Sequence, residues 1–116
     1  MEKTVRIGEK EIKLKTSGAL PRIYRIEFNR DIFRDINLLA TIEDPDKLEA
    51  ESTAVFENVA YAMAKHADPG GTPDDILEWL GGFDDPNTIY DMMDDVIALW
   101  NAEKKETASP KKEEEK

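Results

Sequence analysis

The sequence predicts a mainly α protein of the α+β class: an N-terminal β-hairpin packed on a bundle of about four to five helices. Three observations carry this. Val5, Ile7, Ile12 and Leu14 alternate with charged residues, the period-two pattern of a half-buried hairpin. From Ala19 to Trp100 the apolar positions instead recur at the 3.6-residue period of amphipathic helices. Beyond Trp100 there is no large apolar residue. With 116 residues, 40% of them hydrophobic, the chain has material for one core. A single domain is expected over 1–102. The charged stretch 103–116, which contains Pro110, is expected to be a disordered tail, because it cannot bury enough surface to offset its ordering entropy.

In the hairpin, pairing Ile7 with Ile12 also pairs Val5 with Leu14 and puts all four on one face, leaving Gly8-Glu9-Lys10-Glu11 as the loop. A two-residue turn at Gly8-Glu9 would set Ile7 opposite Lys10. An isolated hairpin is marginal, so this one must lie on helices. The next stretch, from about Ala19 to Phe28, has Leu20, Ile23, Tyr24 and Phe28 at helical spacing and tolerates Pro21 in its first turn. Asn29 suits a left-handed cap, and Asp31 can start a helix carrying Ile32, Phe33, Ile36 and Leu39. Residues 19–40 are readable as one kinked helix or as two.

Asp44-Pro45-Asp46 opens the following helix, with Asp46 and Glu49 spaced as a capping box. Its stripe is Leu48, Val55, Phe56, Val59, Ala60 and Met63, and Asp68-Pro69-Gly70-Gly71 stops it near Ala67. Thr72 is read as the cap of a short helix, with Pro73 first and Ile76, Leu77, Trp79 and Leu80 on its apolar side, ended by Gly81-Gly82. Asp85-Pro86 is read as the start of a last helix with Ile89, Tyr90, Met93, Val96, Ile97 and Trp100.

Charge is unevenly distributed. Residues 1–40 hold nine basic and six acidic side chains, a charge of +3; residues 41–100 hold two and fifteen, a charge of −13; residues 101–116 hold five of each. An overall charge of −10 repels phosphates, so no nucleic-acid partner is expected. The acid serves solubility and can also steer a basic partner. No apolar stretch approaches a membrane span and no apolar h-region follows Met1, so neither membrane insertion nor a signal peptide is expected. Without cysteine there is no disulfide, thiolate nucleophile or thiolate metal site, which fits a reducing cytosol.

The search for chemistry returns little. His66 is the only histidine and lies near a helix C-terminus, where a dipole contact or a polar surface role accounts for it. Asp74-Asp75, Asp84-Asp85 and Asp94-Asp95 lack the spacing of a calcium loop and suit helix starts or solvated surface. Gly70-Gly71 and Gly81-Gly82 match no phosphate-binding pattern and read as helix stops. No enzyme, catalytic residue, metal or cofactor is therefore expected. A protein-binding role is more promising. Arg22, Arg25, Arg30 and Arg34 form a basic strip, read equally well as solubilising charge that pairs within the molecule. Candidate contacts are Arg22, Tyr24, Arg25, Arg30, Trp79, Tyr90, Met92 and Trp100, since aromatic, Met and Arg side chains dominate binding hot spots. Trp79, Met93 and Trp100 also have core spacing, whereas Met92 lies off the stripe and reads as an exposed contact.

The order of segments carries a resemblance. A hairpin leads into Leu20-Pro21-Arg22-Ile23-Tyr24-Arg25 and Phe28-Asn29-Arg30-Asp31-Ile32, then Phe56-Glu57-Asn58-Val59-Ala60-Tyr61-Ala62-Met63-Ala64-Lys65, Glu78-Trp79-Leu80 and a final Leu99-Trp100. This resembles the tail assembly chaperones of long, non-contractile-tailed phages and prophages of Gram-positive bacteria, over roughly residues 3–102. The chain departs from the pattern at Asn29, where Gly is expected. The resemblance implies a protein of the host cytoplasm, absent from the mature virion, that binds the tape-measure protein and keeps it soluble during tail morphogenesis. It also implies a longer form made by ribosomal frameshifting, whose extension recruits the major tail-tube protein. An A-rich slippery run encoding Lys104-Lys105 or Lys111-Lys112 would supply the frameshift. The resemblance carries over no catalytic residue. Oligomeric state stays open, a homo-oligomer included. The alternative reading is an acidic inhibitor or DNA mimic that blocks a basic host protein; its affinity would collapse with salt, whereas a hydrophobic grip would persist.

Overall fold

The protein is described as a computed structural model covering residues 1–41 and 50–108. Strands β1 (Glu2–Ile7) and β2 (Lys10–Lys15) form an antiparallel pair. Their register differs from the expected one: Val5 faces Ile12, Ile7 faces Lys10 and Lys3 faces Leu14, around a two-residue turn at Gly8-Glu9. Gly8 takes φ +62°, the positive φ that a type II′ turn requires at its first central position. Sliding the pairing by two residues preserves the face of every side chain, so Val5, Ile7, Ile12 and Leu14 are all still buried. The lysines at the ends of the stripe are not wasted. Lys10 lies over the Phe83 ring, 5.8 Å from its centroid, and Lys3 reaches Asp95 at 2.7 Å.

The stretch 19–40 is two helices, α1 (Leu20–Phe28) and α2 (Ile32–Ala40). Asn29 is left-handed, with φ 56° and ψ 41°, and its N–H donates to the Arg25 carbonyl. The Asp31 carboxylate then accepts from the Phe33 N–H at 3.0 Å and caps α2. Pro21 sits in the first turn of α1, where its missing N–H costs nothing.

Helix α3 (Ala50–Ala67) is the axis of the fold, in contact with β2, α1 and α2. The opening at Asp44-Pro45-Asp46, the capping box with Glu49, and Leu48 lie outside the described residues. Between Val59 and Ala64 every side chain is buried, including Tyr61, Ala62 and Ala64, which the one-sided stripe leaves out. A helix covered all round must be apolar all round, and its alanines let the neighbours approach closely. Tyr61 resolves its one polar atom by donating to the Pro73 carbonyl at 2.6 Å.

Past α3 the helix starts move later than expected. Thr72 does not cap the next helix; its hydroxyl donates back to the Ala64 carbonyl at 3.2 Å and closes the end of α3. Helix α4 (Ile76–Gly81) begins behind Asp75, so Pro73 lies outside it. Asp85 folds its carboxylate onto the Asn87 N–H, a local turn and not a helix start. A 3-10 segment (Thr88–Met92) follows and runs into α5 (Met93–Ala108). The α5 backbone is helical six residues beyond 102, where the tail was expected to begin; residues 109–116 lie outside the described part.

Candidate functional site

The predicted contact residues divide between core and surface. Tyr24 and Met92 are fully buried and Trp79 nearly so, which removes all three as direct contacts. Met92 is the clearest correction, because the sequence placed it outside the stripe. Tyr90 is half-buried, with its hydroxyl donating to Glu57 at 2.8 Å and its pKa pushed up to about 12 by burial and by that carboxylate. Arg22 and Arg25 are exposed on α1.

Arg30 is part of a built corner. Its Nε and Nη2 donate to the two oxygens of Asp35 at 2.8 and 2.9 Å, and the Tyr24 hydroxyl donates to the same carboxylate at 2.6 Å. Burial alone would raise the Asp35 carboxyl; the Arg30 and Tyr24 hydrogen bonds outweigh it and hold the group below the usual carboxylate range. Tyr24 is driven far the other way, by burial and by donating to Asp35. Since α1 supplies Tyr24, the connection Arg30 and α2 Asp35, this network fixes the angle between the two helices.

That corner presents an aromatic surface. Phe33 stands on α2 with 54% of its surface exposed. Trp100, half-buried on α5, meets it edge-on, with ring centroids 5.3 Å apart and planes at 67°. Phe33 also borders a depression of about 470 Å³, lined besides by Pro21, Arg25, Asn29, Arg30 and Asp31. Three of the expected contacts, Arg25, Arg30 and Trp100, thus adjoin Phe33, which the sequence names beside Ile32, Ile36 and Leu39 on this helix but not as a contact. The signal was available: Ile32, Ile36 and Leu39 already complete a core stripe, and Phe33 points about 100° away from Ile32.

Among the described residues no three His, Asp or Glu side chains converge as metal ligands, and no helix is long and apolar enough to cross a membrane. One acid of each doublet has a partner: Asp74 holds Lys65 at 2.6 Å, Asp85 makes its turn, and Asp95 takes Lys3 from the far end of the sequence. His66 is partly buried, 2.7 Å from the Ser17 hydroxyl. Burial, then the charges of Lys15 and the N-terminal ammonium, lower its pKa. The unfolded chain, with an imidazole pKa of about 6.5, therefore takes up a proton more readily than the folded one. Stability should fall as pH drops from about 7 toward the folded pKa, and His66→Gln should flatten that slope in urea titrations between about pH 7.5 and 5.

Compared with protein-family models, with characterised proteins and with solved structures, the chain matches none.

Proposed function

We propose that this chain is a tail assembly chaperone that grips the tape-measure protein through apolar helix surfaces, without chemistry, and holds it in solution while the tail tube forms. On this reading it acts in the host cytoplasm and is left out of the virion. The observation that carries the reading is the exposed Phe33 ring, packed edge-on against half-buried Trp100 and bordering a depression with Pro21, Arg25 and Arg30. An aromatic cluster partly open to water and flanked by arginine has the composition of a binding hot spot. The order of segments described above supports the identity of the client. Tape-measure proteins are long and largely helical, so their chaperone needs an apolar grip on a highly charged body.

The test is co-expression with the tape-measure protein encoded alongside. Wild type should keep that protein soluble and co-purify with it, through washes at high salt. Phe33→Ser should reduce co-purification by about tenfold while lowering the thermal midpoint by only a few degrees, the cost of the lost Trp100 contact on a residue that is more than half exposed. Insoluble client in the presence of wild type would refute the proposal.

A further inference from the structure

We propose a second docking site, independent of the Phe33 surface and of the client named above: the cleft between α4 and the 3-10 segment takes the apolar face of a basic amphipathic helix. The cleft holds about 360 Å³. Its walls are Leu80, Phe83, Ile89 and Tyr90, and its charged members are Glu57 and Asp85; neither Lys nor Arg lines it, although Lys10 lies over the Phe83 ring, 5.8 Å from its centroid. Glu57 is fixed at the wall by the Tyr90 hydroxyl, 2.8 Å from its Oε2.

The apolar surface continues out of the cleft. Leu77 is 73% exposed and lies one turn before Leu80, on the same side of α4. The two are about 4.5 Å apart along the helix axis, the interval at which a ligand helix repeats its anchors at i and i+3. A bound helix can therefore seat one apolar side chain in the cleft and lay the next against Leu77.

Charge decides what flanks those anchors. Exposed Glu78, Asp84 and Asp91 surround the cleft residues in sequence, and residues 41–100 carry −13 in all. Local and long-range fields have the same sign here, so a basic helix is both steered in and paired on arrival, whereas an acidic one is repelled. The depression beside Phe33 differs, since it carries Arg25 and Arg30 alongside Asp31. The two sites therefore select different segments.

The probe is a labelled synthetic helix with leucines on one face and lysines elsewhere, titrated into the full chain by fluorescence anisotropy. It should bind wild type, and Leu77→Ser should weaken it by about fivefold or more with the thermal midpoint unchanged. Asp85→Asn, which keeps the oxygen that caps the Asn87 N–H, should weaken it by about twofold and make its salt dependence shallower. Phe33→Ser should leave it unaltered. In wild type, the Gly81 and Tyr90 amide resonances should shift on titration. Equal binding by Leu77→Ser, equal binding of a leucine-free lysine peptide or of a glutamate version, loss of binding in Phe33→Ser, or unmoved Gly81 and Tyr90 resonances would each overturn the site.

Discussion

Asp35→Ala should lower the unfolding free energy by about 3 kcal/mol, read from urea titration near neutral pH. The carboxylate is 2% exposed and accepts from Arg30 twice and from Tyr24 once. Removing it takes the carboxylate acceptor from a buried phenol hydroxyl, which also hydrogen-bonds the Asn58 side chain, and that penalty is the larger share, since Arg30 is 40% exposed and can turn to water. Asp35→Asn keeps one acceptor oxygen but sets an NH2 donor where the other accepts from Arg30 or Tyr24, and should cost somewhat less, about 2 kcal/mol. The sign with pH follows from the lowered folded pKa: the contribution is complete above the unfolded carboxyl pKa of about 4 and is lost as pH falls through the folded value. The acid limb of the stability curve should therefore be shallower in Asp35→Asn than in wild type.

Met92→Ala should cost a comparable amount, about 3 kcal/mol, by the same measurement. Met92 has no exposed surface, so truncation leaves a void among packed neighbours and not a smaller surface contact. Had Met92 been an exposed anchor, the change would scarcely move the midpoint. The reason for its burial is the 3-10 winding of Thr88–Met92, with three residues per turn instead of 3.6. Ile89 and Met92 then stand one above the other, both buried. The 3.6-residue period used along the sequence passes from Ile89 to Met93 and steps over the residue between.

The same contrast runs through the rest of the chain. Wherever a single local rule governed, the residues were legible: Asn29 as a left-handed cap, Asp31 as an N-cap, the alternation of Val5, Ile7, Ile12 and Leu14. The hairpin register was not, because a two-residue slide leaves every side chain on its own face, and only the distant partners Phe83 and Asp95 show what Lys10 and Lys3 do. Asp35 lies three residues after Ile32, on the apolar side of α2, and an acid there demands a partner. Its partners come from the preceding helix and the connection, which periodicity within one helix does not register. The Phe33–Trp100 pair joins positions 67 residues apart in a contact that follows from α2 lying beside α5. The late start of α4 was obscured because Thr-Pro-Asp-Asp satisfies the rules for a helix start while Thr72 is occupied by the preceding helix.

The full enclosure of Val59–Ala64 has a consequence for how the molecule comes apart. The elements that shield this segment come from both ends of the sequence, so shedding any one of them uncovers apolar backbone that the others cannot reach. Its amide protons should exchange with deuterium only through global opening, at one shared protection level, while those of the hairpin turn exchange sooner. Deletion mapping is for that reason the wrong tool for locating a partner on this protein: a fragment without its hairpin or its last helix would report the collapse of the central segment, and only single surface substitutions separate adhesion from integrity.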